Sequence, residues 1–302
     1  TPVVIATLNA FVAMVFVVLA LAIFGFPFPL ALVLGAIAAA TAPAATVMVI
    51  KQYQARGPFT ETLLSVVAID DAVTLIIFGF NAAIARTLIA GEFSFLSILR
   101  PFAEVLGSML AGAALGLILT FAFRFFSSRS NRLILLLSFI TLGIFVSQLL
   151  GISSLLLIMT MSAMVANLYH DHVAMDEELD HFTPPIFMLF FVLSGARLDP
   201  RVLPTIGLLG VVYLVVRVIG KLTGAYLGAV IMKAPDNVRK YLGPALIPQA
   251  GVAISLSYAA QSMVPMYATQ IQSVILTATL VYELVGPVAT KWSLGKANEI
   301  KR

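Results

Sequence analysis

Two adjacent carboxylates, Asp70 and Asp71, stand in the middle of a long apolar run of the 302-residue chain. Three more ionisable residues, Arg217, Lys221 and Glu283, lie in similar surroundings. In lipid, a charge at a helix centre costs at least about 2.5 kcal/mol on insertion scales, so such residues pair or line a water-filled path. The short aspartate side chains cannot reach an interface from mid-helix. Neighbouring carboxylates in a low-dielectric cleft titrate as a coupled set. Their oxygens are hard ligands, for which a hard cation and protons compete. That competition is sufficient for ion exchange if the site opens to one side at a time. A static buried ion pair is the plainer use of such charges, but it needs one aspartate and not two.

Composition defines the solvent around them. The chain is 61% hydrophobic and 11% charged, against about a quarter charged in a soluble domain. Such a sequence has too little polar surface for a water-facing globule, so lipid must cover most of it. There is no cysteine, which excludes disulfides and thiolate metal sites, and three histidines leave little for a metal cluster. No cofactor is expected. The net charge of +4 fits loop lysines and arginines of a membrane protein, and a nucleic-acid partner is not expected.

A span needs about 20 mostly apolar residues. Ten candidates follow: 3–24, 29–50, 62–85, 102–125, 133–150, 153–169, 182–198, 204–232, 241–260 and 267–290. No period of two competes for these runs. The reading is an all-α polytopic membrane protein, one transmembrane transport domain over 1–302 with no soluble domain. Of the eighteen basic residues, twelve fall on the side holding the carboxyl terminus and four on the other. That bias makes the carboxyl-terminal side cytoplasmic.

Depth follows from a rise of about 1.5 Å per residue. Asp70 is nine residues from Glu61, Lys221 twelve before Lys233, and Glu283 eight before Lys291. These place them roughly 14, 18 and 12 Å from one face, a shared layer near the bilayer middle. Two spans are interrupted in that layer. Span 29–50 contains Thr-Ala-Pro-Ala-Ala-Thr, with Pro43 eight residues before Lys51; span 241–260 contains Pro244 and Pro248-Gln249-Ala250-Gly251. Proline removes a backbone donor and glycine tolerates unusual dihedrals. Open backbone at membrane depth is tolerated only inside protein or beside water. Two breaks at matching depth, in spans running in opposite directions, fit an inverted repeat with discontinuous helices around a midplane ion site.

Thr41 and Thr46, beside Pro43, are candidate oxygen ligands for a hard cation, although a threonine more often bonds its own helix backbone. Gln249 either lines the cavity or satisfies backbone freed by the second break. Arg217 stands one turn before Lys221, on the same face, and is expected to pair with Glu283. The stretch His-Asp-His-Val-Ala-Met-Asp-Glu-Glu-Leu-Asp-His, residues 170–181, offers His170, His172 and His181 as pH sensors; a solvated connection is the simpler reading.

The order TAPAAT, AIDDA, RVIGKLTGAYLGA, PQAGVA resembles the cation:proton antiporter-2 family of the monovalent cation–proton antiporters, from about residue 29 to 290. The resemblance implies an inverted-repeat antiporter fold and electrogenic exchange of Na+ or another monovalent cation for H+ by alternating access. Asp71 then carries cation or proton in turn, with Asp70 as a second Na+ ligand that pairs with Lys221 when no cation is bound. It implies a multi-pass protein of the cell membrane, bacterial inner membrane by type. Against a complete member, about three amino-terminal helices are expected to be missing before Thr1, including those that build a homodimer.

Two other functions share part of this pattern. A sodium-coupled organic-solute symporter shares crossed discontinuous helices but needs a larger polar cavity and no Asp–Asp–Lys group. An intramembrane aspartyl protease needs carboxylates on different helices facing one water. Here they are adjacent, about 100° apart around one axis.

Overall fold

The computed structural model describes residues 1–90, 95–126, 128–169 and 207–300, with 185, 186, 188, 189, 192 and 193. His170, His172 and His181 lie outside the described residues, as does most of the span expected over 182–198. The described chain is helical: α1 (Pro2–Ile23), α2 (Phe28–Ala38), α3 (Pro43–Gln52), α4 (Pro58–Ala90), α5 (Phe95–Ala122), α6 (Arg129–Leu150), α7 (Ser154–Leu168), α8 (Gly207–Ile231), α9 (Asp236–Ala245), α10 (Gly251–Met263) and α11 (Ala268–Lys296). A 3₁₀ turn, Pro265–Tyr267, joins the last two.

Seven stretches among the described residues are long and apolar enough to cross a bilayer, and Ser154–Leu168 is a shorter apolar helix. The run 241–260 is divided between α9 and α10. Several helices begin where their sequence dictates. Prolines open α1 and α3, where the missing N–H would have had no helical partner. Ser128 and Ser153 accept from backbone N–H groups in the first turns of α6 and α7, as N-caps do.

The chain forms two compact units, Thr1–Ser97 with Leu198–Arg302, and Ile98–Arg197. In the first, α1 and α8 pack in direct backbone contact. A Cβ placed on Gly220, Gly224 or Gly228 would lie 2.7, 2.8 or 2.9 Å from the Cα of Ala13, Asn9 or Ile5. As one sequence ascends the other descends, so the helices are antiparallel. Helix association in lipid draws no hydrophobic gain, and small residues at i, i+4 and i+8 permit the close packing that replaces it.

One end of this unit is closed by an apolar cluster including Ile5, Ile50, Phe59, Leu63, Val238, Leu242 and Leu294. There the tail beyond α11 reaches the start of α4. Glu299 accepts hydrogen bonds from Phe59 N and Thr60 N, each at 2.8 Å, and from Thr60 Oγ1 at 2.7 Å. Arg56 N donates to the Glu299 carbonyl at 3.2 Å. A carboxylate on the free N–H groups of a helix start satisfies them and opposes the helix dipole. This cap, with Pro58, starts α4 four residues earlier than the apolar run indicated, and α4 extends over 33 residues.

The second unit contains most of α5 with α6 and α7. Gly112 and Gly116 of α5 lie against α7, and a Cβ on Gly116 would stand 2.6 Å from Met164 Cβ. Leu119, Phe123, Leu136, Met161 and Val165 form its core. Its fully buried polar groups among the described residues are hydroxyls, such as Ser108 and Ser147.

Candidate functional site

The first interruption runs from Ala39 to Ala42 between α2 and α3, and the second from Leu246 to Ala250 between α9 and α10. The two meet. Ala42 N donates to the Pro248 carbonyl at 2.9 Å, and Ala42, Ala45 and Ala250 form a small buried cluster. Pro43 and Gly251 are the residues at which the helices resume. A third helix closes on the crossing from α11, where a Cβ on Gly286 would lie 2.8 Å from the Pro248 ring.

Ending two helices inside the protein leaves carbonyls without partners, and an orphaned buried carbonyl is costly. Helix α8 answers with two cations. Arg217 Nε donates to Ala38 O at 3.0 Å, Nη2 to Ala40 O at 2.6 Å, and Nη1 across to Ile247 O at 2.8 Å. One guanidinium therefore holds both breaks. Its Cζ also lies 4.4 Å from the centre of the Tyr282 ring, a cation–π distance. The Tyr282 hydroxyl donates to Leu214 O at 2.8 Å.

The expected pairing of Arg217 with Glu283 is therefore corrected. The guanidinium is committed to three carbonyls and a ring, and Glu283 Oε1 has no hydrogen-bond partner. The negative ends of interrupted helices attract a cation as an opposite side-chain charge would.

One turn further along α8, Lys221 Nζ donates to the carbonyl of Ala39, to Thr41 Oγ1 at 2.8 Å and to Asp70 Oδ2 at 3.1 Å. Asp70, Lys221 and Arg217 are all fully buried. Asn9 of α1 completes the group. With its amide oxygen toward the ammonium, it accepts from Lys221 Nζ and donates to Lys221 O, both at 3.0 Å. The opposite sense directs Nδ2 at Asp70 Oδ1, 3.4 Å away. The first is preferred, because the second sets an NH₂ group against an ammonium.

Asp71 differs from its neighbour. It is partly exposed, and its Oδ1 is without a hydrogen-bond partner. Both threonines singled out from the sequence have partners: Thr41 accepts from Lys221, and Thr46 Oγ1 donates to Ala42 O at 3.3 Å. Gln249 is fully buried. Its Nε2 donates to Ile37 O at 2.9 Å and to the Tyr213 hydroxyl at 3.1 Å, so it ties the second break to the carbonyl just before the first.

Thus Asp70, Lys221, Thr41, Arg217, Pro248 and Gln249 gather at one crossing, joined by Asn9 and the two tyrosines. A search for charges passes over Asn9, yet it is the lone amide in the run 3–24, and that was a legible signal. No group of three or more His, Cys, Asp or Glu residues able to hold a metal ion occurs among the described residues.

Crossed, interrupted helices around buried charges define a membrane transporter of the discontinuous-helix class. Residues 1–296 match the family described as sodium/hydrogen exchanger, transmembrane, and the chain belongs to that family. Two solved structures of the sodium proton antiporter MjNhaP1 from Methanocaldococcus jannaschii share the fold. The structure at pH 8 matches with a TM-score of 0.77 at 15% identity, covering 99% of this chain and 78% of that one. The second, an electron-microscopy structure, gives 0.76 at 16%, covering 100% and 79%. No curated protein matches significantly. The chain is a multi-pass membrane protein that exchanges cations for protons; it is a transporter and not an enzyme.

Proposed function

We propose that exchange of Na+, or another monovalent cation, for H+ takes place at Asp71, with Asp70 and Lys221 as the coupled partner pair. The carrying observation is the fully buried Lys221–Asp70 contact at 3.1 Å beside a carboxylate whose Oδ1 has no partner. One ammonium stands among two carboxylates, while the nearby guanidinium is spent on carbonyls. Asp71 therefore has no fixed countercharge, and a hard cation or a proton serves as one. Cation entry next to Asp70 weakens its hold on Lys221, and protons returning to the carboxylates release the cation. If the lysine proton leaves and returns in each cycle, more than one proton moves per cation and transport is electrogenic.

The site opens to one membrane face at a time, and the whole chain 1–302 acts as one transport domain. Loop charge supports a cytoplasmic carboxyl terminus in the cell membrane. Assembly of the protein as a homodimer rests on the family resemblance.

The test is proton flux in proteoliposomes on addition of Na+, Li+ or K+, beside Asp71→Asn. The variant is expected to be inactive; exchange at the normal rate would overturn the reading.

A further inference from the structure

Hydroxyls inside the helices of this chain are commonly spent on the carbonyl one turn earlier, as at Thr62, Ser65, Thr87, Thr120 and Thr160. Thr74 is an exception. It is fully buried in α4, and its Oγ1 has no hydrogen-bond partner. Leaving a buried hydroxyl unpaired is costly, so each such group in a native fold calls for an explanation.

Its place in the helix supplies one. With 3.6 residues per turn, Thr74 lies about 40° from Asp70 and about 60° from Asp71 around the axis, one turn along. It falls between the two carboxylates on the buried face of α4. The acidic atom with the same deficiency on this helix is Asp71 Oδ1. Two hard oxygens without partners therefore stand one turn apart on a single rigid helix. Thr41 and Thr46 do not offer this, since an ammonium and a carbonyl already engage them.

We infer that Thr74 Oγ1 is a ligand for the cation carried by Asp71 and helps set affinity and choice among monovalent ions. This deepens the reading of Asp71 proposed above and rests on it. When a proton replaces the cation, the same hydroxyl can hydrogen-bond the Asp71 carboxyl, so the oxygen has a role in both halves of the cycle. Hard cations take oxygen ligands, and their selection depends on ligand number and rigidity.

The test uses Thr74→Val, Thr74→Ser and Thr74→Cys in proteoliposomes, with Na+, Li+ and K+ titrated separately at fixed pH. Thr74→Val should raise the cation KM about tenfold, the worth of one polar contact, with kcat much less affected and the order of preference among the three ions changed. Thr74→Ser should restore both. Thr74→Cys keeps the size but offers a soft sulfur, and should behave like the valine variant; it carries the test if Thr74→Val fails to insert. Unchanged KM and ion preference in the valine and cysteine variants would overturn the inference, as would a fall in kcat alone. Asp71→Asn separates the two levels: an inactive Asp71→Asn beside a normal Thr74→Val sinks only the threonine, whereas an active Asp71→Asn sinks the site itself.

Discussion

At the first break the carbonyls of Ala38, Ala39 and Ala40 take charged donors from α8, and Ile37 takes the amide of Gln249. At the second break Ile247 receives one N–H of the same Arg217, Pro248 receives a backbone N–H, and Thr290 Oγ1 lies 3.4 Å from Ala245 O. One break is held mainly by cations, the other mainly by neutral groups. The difference follows from sequence. Residues 39–42 are Ala-Ala-Thr-Ala and bring one hydroxyl, so the carbonyls there are met from α8, whereas the second break supplies Gln249 as a neutral donor to Ile37. Charge at the crossing is thereby divided. Arg217 is satisfied by backbone dipoles, which leaves Lys221 as the ammonium that pairs with Asp70.

The largest effect should come from removing the group that serves both breaks. Arg217→Leu orphans three buried carbonyls at about 1–3 kcal/mol each, so unfolding in mixed micelles should show a loss near 5 kcal/mol, on the order of three such terms. Wild-type stability in this variant would dissolve the comparison. Next, Lys221→Ala leaves Asp70 buried without its ammonium, which should cost about 3–5 kcal/mol. The double variant Lys221→Ala/Asp70→Ala should regain part of that loss, and a strictly additive result would argue against the pair. Gln249→Leu, which removes a neutral donor instead of a charged one, should cost about 2 kcal/mol for the bonds to Ile37 and Tyr213. A loss matching that of Arg217→Leu would erase the distinction between charged and neutral donors at the crossing. Smallest, Glu299→Ala removes a helix cap, worth about 1 kcal/mol, and should be seen first as faster amide exchange at Phe59 and Thr60.

Much of the crossing was legible beforehand, and for definite reasons. Asp70, Asp71 and Lys221 stand out because lipid makes each charge conspicuous. The breaks stand out because Pro43, Pro248 and Gly251 interrupt otherwise continuous apolar runs. The partners of Arg217 were not legible. Sequence shows side-chain charge, so it directed the guanidinium toward Glu283, whereas carbonyls freed by a break carry no residue signature. Thr74 was hidden for a related reason: its letters match those of threonines that bond their own helix, and only the missing partner sets it apart. The Glu299 cap joins positions some 240 residues apart, beyond any local pattern.

The glycine contact between α1 and α8 also governs how this chain can vary. One face of α8 meets backbone at Gly220, Gly224 and Gly228, so even a single methyl group there must push two helices apart. On the opposite face Val211, Val215, Ile219 and Tyr226 are roughly half exposed, and any apolar side chain should serve. Apart from Arg217 and Lys221, a saturation library across α8 should therefore show two classes of position, alternating with the turn of the helix. One class accepts almost nothing larger than glycine; the other drifts freely among oily residues.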